Sequence, residues 1–185
     1  MPIGKEFRVK NKVKVILSSL IVLVIGSVAF AGKTTAPKTD IVEAAANSKD
    51  HTTLVAALKA ASLVETLKGA GPFTVFAPTD TAFKKLPAGT LDGLLKAEAK
   101  ATLTKILTYH VVAGKIDAAK VVEMIKEGKG KATAKTVAGG VLTFSLEGKS
   151  VVVADEKGGS AKVIAADLMQ KNGVIHSVDS VLMPN

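Results

Sequence analysis

The apolar period of this chain changes once, near Gly128, and that change limits the fold more than any other feature. Before it, apolar residues recur at helical spacing; after it, they alternate. Asp40 opens the first helical stretch, with Glu43 three residues on in capping-box spacing. Leu54, Val55, Leu58 and Ala61 continue the helical pattern through Val64 and Leu67, and Gly69 and Gly71 end it. Leu91, Leu94 and Leu95 form a second stripe. Leu103, Ile106 and Leu107 form a third, which runs into Tyr109-His110. Asp117–Glu127 is predicted as a further helix, capped by Asp117, with Val121, Val122 and Ile125 inward and Gly128 as its stop. Beyond it, Leu142, Phe144 and Leu146 alternate with Thr143 and Ser145, as in a half-buried strand. Val151–Ala154 and Val163–Ala166 read as short buried strands. The breaks are Gly139-Gly140, Glu147-Gly148, Gly158-Gly159 and Asn172-Gly173. Asn-Gly is a strong hairpin signal and predicts that Asp167–Lys171 pairs with Val174–Val178. Helices first and hairpins second make an α+β class. No internal repeat is visible, so the chain reads as one copy of one domain.

The two halves meet around Gly71–Phe83. Thr74, Val75 and Phe76 favour a pleated, half-buried strand. Pro78 pushes Ala77 out of the helical region, so the strand is expected to end there. Thr79 or Asp80 then caps a new helical turn, with Phe83 on its inner side.

Residues 1–31 have the form of a secretory signal peptide. Lys5, Arg8, Lys10, Lys12 and Lys14 make a basic front, Val15–Phe30 an apolar segment, and Ala29-Phe30-Ala31 a small-x-small cleavage site. The alternative is an uncleaved anchor, but a spanning helix wants roughly 20 apolar residues and this segment is shorter. The mature chain would begin at Gly32, with residues 32–39 as a polar linker and 40–185 as the domain. Five basic residues and Glu6 give the leader +4, so +5 of the precursor's +9 stays with the mature chain. After the leader every basic residue is Lys, the one Arg being Arg8. That argues against nucleic-acid reading, which leans on bidentate Arg. With no Cys, the exported domain holds together by packing rather than disulfides.

Three ordered segments carry a family resemblance. Gly71–Phe83 resembles the first signature of the fasciclin domain. Leu107-Thr108-Tyr109-His110-Val111-Val112 and Asn172-Gly173-Val174-Ile175-His176-Ser177-Val178-Asp179-Ser180-Val181-Leu182 resemble the later ones, in the right order. The resemblance runs from about Asp40 to Pro184. It implies a β-wedge or sandwich of short strands with a helical layer built mainly from the N-terminal half. Thr74, Phe76, Pro78, Thr79, Asp80, Phe83, Asn172, Gly173, His176 and Asp179 fall on its structural motif positions. It also implies that Tyr109, His110 and the flanking Leu107, Val111 and Val112 belong to an adhesion surface. Against that stands a structural role, since a buried Tyr hydroxyl and an imidazole both need partners; Thr79 and Asp80 are the partners expected. Ala113 stands where many relatives carry Pro, which leaves the following loop freer.

Catalysis has little support. His176, Ser177 and Asp179 suggest a triad by type, but adjacent strand residues point to opposite faces. The three His residues, His51, His110 and His176, lack metal-ligand spacing, so no metal and no cofactor is expected. Lys126, Lys129, Lys131 and Lys135 form a basic cluster that either draws an anionic polymer or protects a hairpin edge. The reading is therefore a bacterial, secreted or surface-associated, non-enzymatic binding module for cell adhesion or matrix contact. It would act extracellularly, at the cell surface or in the periplasm. Its partners would be a surface or matrix protein, a polysaccharide, or a second copy. The alternative is a soluble extracellular carrier of a small apolar ligand such as a carotenoid, which some fasciclin relatives bind.

Overall fold

The structure is a computed structural model and describes residues 37–185. The leader and the start of the linker lie outside these residues. The described chain is mixed α and β, with its helices concentrated before Gly128 and its hairpins after it.

The first helical stretch is three helices, not one: α1 Ile41–Asn47, α2 Thr52–Ala60 and α3 Val64–Lys68. Asp40 caps α1 in a full capping box with Glu43. Ser48 leaves the helical region and ends it. Ser62 ends α2 in the left-handed region at φ 58°. Ser62 N–H donates to Lys59 O and Leu63 N–H to Leu58 O, the paired bonds of a Schellman motif. Ser rarely occupies that position, so the stop is hard to see in the sequence. Strand β1, Phe73–Pro78, follows, then α4 Asp80–Lys84, α5 Thr90–Leu94, a 3-10 turn at Ala97–Ala99, α6 Lys100–Tyr109, β2 Val111–Ala113 and α7 Ala118–Glu127.

β1 runs one residue past Ala77, where it was expected to end, and Pro78 is its last residue, opposite Val178. Proline fits there because β2 pairs only with Phe73–Val75, so no strand needs its missing N–H. Thr79 caps α4 by accepting from Ala82 N–H at 3.3 Å. Asp117 caps α7 through Lys120 N–H at 2.8 Å.

The remaining strands form a meander: β3 Lys131–Lys135, β4 Val141–Glu147, β5 Ser150–Ala154, β6 Ser160–Gln170 and β7 Gly173–Val178. The sheet order is β2-β1-β7-β6-β5-β4-β3. Among the described strands, only the β1–β7 pair is parallel. A bridge between Val112 and Thr136 and a bond from Val137 N–H to Val111 O bring the two ends together, so the sheet curls towards closure.

Two cores result. One lies between α1–α4, α6 and the near face of β1 and β7, around Leu54, Leu58, Val75, Phe83, Leu107 and Ile175. The other fills the curl, around Phe76, Tyr109, Val121, Phe144, Val153 and Leu182. Leu142 and Phe144 are fully buried, but Leu146 is exposed because its hairpin projects beyond the core. Val163–Ala166 is likewise not a buried strand: its side chains are half-buried or exposed. Register shifts on either side of Ala165, with Asp167 at φ 59°, bulge β6 away from the core. The last hairpin turns on Lys171-Asn172; Gly173 already pairs with Gln170.

Candidate functional site

Helix α6 runs directly into β2, and this junction presents Tyr109 and His110 to different layers. Both are buried, as are Leu107, Val111 and Val112. The Tyr109 hydroxyl donates to Val141 O at 2.8 Å and accepts from Glu156 N–H at 3.2 Å. Burial raises its pKa; the Glu156 N–H bond opposes this, while the Glu156 and Asp155 charges add to it. The ring packs so closely on Gly140 that a Cβ there would sit 2.6 Å from a ring carbon.

His110 is 2% exposed. Its Nδ1 contacts Ile106 O at 2.9 Å, and its Nε2 accepts from Leu182 N–H at 3.0 Å. A carbonyl can only accept and an amide N–H only donate, so the ring is neutral with its proton on Nδ1. Burial pushes its pKa down to about 4, against the opposing effects of the Ile106 carbonyl bond and the Asp155 charge. Neither Tyr109 nor His110 bonds to Thr79 or Asp80, the partners expected from the sequence.

The Asp80 carboxylate instead reaches back to α2. It accepts from the Thr52 hydroxyl at 2.6 Å and from Thr53 N–H at 2.8 Å. His51 precedes α2 without making a side-chain cap, so a residue of another helix does its work. Burial raises the Asp80 pKa, but the Thr52 and Thr53 bonds outweigh it and the net shift is downward. Asp80→Ala should cost about 1 kcal/mol, the usual loss of a cap. Asp80 and His110 share no partner, so the Asp80→Ala/His110→Ala double variant should add within about 0.5 kcal/mol. Urea melts of the four proteins check this, and a coupling above about 1 kcal/mol would mean a shared network.

His176 and Ser177 do point to opposite faces. His176 Nε2 donates to Ile116 O at 2.8 Å, and its Nδ1 accepts from Asp167 N–H at 3.3 Å. The ring stacks on Phe76, with centroids 5.5 Å apart. Asp179 accepts from Lys162 N–H at 2.8 Å and pairs with Lys85 at 3.0 Å. Burial raises the Asp179 pKa, but these bonds win and it falls.

Ser177 meets a different histidine, which the sequence did not point to. Its hydroxyl lies 3.1 Å from His51 Nε2, and His51 Nδ1 lies 2.7 Å from the Ser48 hydroxyl. Burial lowers the His51 pKa, opposed by the charges of Asp50 and Asp80. The Ser48–His51–Ser177 chain fastens the α1–α2 turn to β7. Ser177 is 4% exposed, so its hydroxyl is a poor nucleophile for any outside substrate. His51 and Ser48 also line a cavity of about 220 Å3 with Ala44, Ala77, Leu168 and Ile175. Sequence spacing gives no hint of this chain, because 126 residues separate His51 from Ser177.

Asn172 is a second hub. Its Oδ1 accepts from Ile41 N–H at 3.0 Å, and its Nδ2 donates to Leu67 O at 2.7 Å and Gly69 O at 3.1 Å. Its backbone carbonyl accepts from Phe73 N–H at 2.9 Å. Gly173 is pressed on β1, where a Cβ would lie 1.9 Å from Phe73 O. Among the described residues, no three His, Asp or Glu side chains are placed to hold a metal ion. No helix among them is long and apolar enough to cross a membrane.

Known proteins share both this sequence and this fold. Protein sll1483 of Synechocystis is 51% identical over 144 residues, covering 78% of this chain and 73% of the relative. The immunogenic protein MPB70 of Mycobacterium bovis is 40% identical, covering 78% and 68%. The cell surface glycolipoprotein MPB83 of the same species is 36% identical, covering 78% and 60%. A solved FAS1 domain pair from the insect cell adhesion molecule fasciclin I superposes with a TM-score of 0.69 at 19% identity, covering 78% of this chain and 51% of that one. The fasciclin domain family itself matches residues 49–184, spanning all three motifs, and the chain belongs to that family.

Proposed function

We propose that this protein is a non-enzymatic binding module, secreted or held at the cell surface, that mediates adhesion or matrix contact. The observation that carries this reading is the use of its reactive side chains. Each histidine ring has both nitrogens engaged within the fold. Among the described residues no buried side-chain polar atom lacks a partner. Such saturation suits a rigid scaffold that offers surfaces. Relatives named as a cell surface glycolipoprotein and as an insect cell adhesion molecule support the same reading. In it, Leu107, Tyr109, His110, Val111 and Val112 hold the shape of the surface from beneath.

The test is retention of mature protein, with its N-terminus fixed at Gly32 by intact mass, on envelopes of the producing cell and on neighbouring cell surfaces. Native protein should be retained and heat-denatured protein should not. Equal retention of both, or of neither, overturns the reading. A carrier of a small apolar ligand is the second reading. A cleft of about 510 Å3, lined by Leu94, Ala101, Ile106 and Met183 but also by Lys105 and Lys157, is the feature behind it, since ligand pockets run roughly 300–1,000 Å3. Visible absorbance that stays with the purified protein would support this carrier.

A further inference from the structure

The hairpin half of the sheet has two faces of opposite character. Ala132, Phe144, Val153 and Ala161 are buried in cross-strand register on the inner face. The outer face carries the neighbours of those residues, also in register. One row runs Lys131, Ser145, Val152, Lys162; the next runs Thr133, Thr143, Ala154, Ser160. Lys135, opposite Val141, begins a third. At ~4.8 Å per strand, Lys131 and Lys162 stand about 14 Å apart across the sheet.

The floor between these lysines is made of small side chains. Ser145, Thr133, Thr143 and Ser160 each offer a hydroxyl that both donates and accepts. Lys131, Lys135 and Lys162 are exposed, and none takes part in an ion pair among the described residues. Lys126 and Lys129 stand exposed at the end of α7 and in the turn that leads into β3. Three carboxylates border the rows: Glu147, opposite Ser150 at the far hairpin end; Glu156, which accepts from Val141 N–H; and Asp179, which accepts from Lys162 N–H and is paired with Lys85. A hairpin edge protected by charge would need lysines on β3 alone. Lys162 lies on β6, on the other side of the floor, which edge protection does not explain.

We propose that this face binds an anionic polysaccharide, its sugar rings lying on the hydroxyl floor and its acidic groups meeting the lysines on either side. The inference rests on the reading of the chain as a surface-binding module and names its partner class. Sugar hydroxyls match Ser and Thr, and carboxylates or sulfates match the compact charge of Lys. The rows contain no aromatic side chain on which a nucleic-acid base could stack. They contain no apolar side chain larger than Val141 and Val152, too little to enter a lipid surface.

The test uses mature protein on immobilised polygalacturonate, with neutral dextran as control and poly-uridine RNA and phosphatidylserine vesicles as rivals. Binding should weaken with salt, as exposed charges are screened. The Lys131→Glu/Lys135→Glu/Lys162→Glu variant should lose about tenfold or more in affinity. Lys59→Glu/Lys84→Glu/Lys96→Glu makes the same charge change elsewhere on the exposed surface and should bind nearly as wild type does. The corresponding triple Arg variant should retain binding. Thermal melts confirm that each variant is folded. Equal losses in the two Glu variants would mean net charge alone, and tighter binding to RNA or vesicles would assign the face to another partner; either overturns the proposal. If polygalacturonate fails to bind while native protein is still retained on cells, the inference falls and the binding-module reading stands.

Discussion

Asn172→Ala is expected to lower stability by about 3 kcal/mol or more, as each buried polar group left unpaired costs ~1–3 kcal/mol. The substitution orphans Ile41 N–H at the start of α1 and the carbonyls of Leu67 and Gly69 at the end of α3. Beside these bonds, Thr39, just before α1, also ties the turn, accepting from Lys171 N–H at 3.0 Å and donating its hydroxyl to Gln170 at 2.8 Å. A domain of this size has a total stability of about 5–15 kcal/mol, so one side chain would hold a large share of it. Asn172→Asp separates the bonds. Its carboxylate still accepts from Ile41 N–H but faces two carbonyls that need a donor, so it too should destabilise. Urea midpoints at neutral pH give the answer. A loss below about 1 kcal/mol for Asn172→Ala would mean that water replaces the amide at little cost.

Asn172 also shows how much of this fold can be read from sequence. Asn-Gly marked the last hairpin correctly, yet the turn residues are Lys171-Asn172. The pair is there for two other reasons: Asn172 bridges two helices and a strand, and Gly173 leaves room for Phe73 O. Local turn chemistry and long-range bonding produce the same dipeptide, and only the first is visible in a single sequence. The α-then-β order, the caps at Asp40 and Asp117, and the alternation of β4 were legible because they depend on neighbours within four residues; the cap of α4 was narrowed to Thr79 or Asp80, and it is Thr79. The parallel β1–β7 pairing, the capping of α2 by Asp80 and the Ser48–His51–Ser177 chain were not. Each joins segments far apart in the chain, so no spacing rule reaches them. The outer face of β3–β6 lies between: Lys131 and Lys135 were visible as a cluster, but Lys162 joins them only through strand register.

The second large effect concerns His110 and acid. Burial holds its folded-state pKa down to about 4 from the ordinary 6.5. Between those values the unfolded chain binds a proton that the folded one refuses, so stability rises with pH across that window. The contribution is complete above about pH 6.5 and is lost as pH falls towards about 4. A gap of this size corresponds to about 3 kcal/mol. His51, also shifted down by burial, acts in the same direction. Asp80 and Asp179 are held below the usual carboxylate pKa of 3.8, so their contributions fade only in stronger acid. His110→Gln isolates the ring. The variant should be less stable than wild type at pH 7.5, because Ile106 O and Leu182 N–H lose a well-placed partner. As pH falls to 4, the difference should narrow by about 3 kcal/mol, since the variant has no ring to protonate. Paired urea melts across this range measure it. Parallel curves would mean that the folded domain protonates His110 without opening, and that the buried ring is not what makes the domain sensitive to acid.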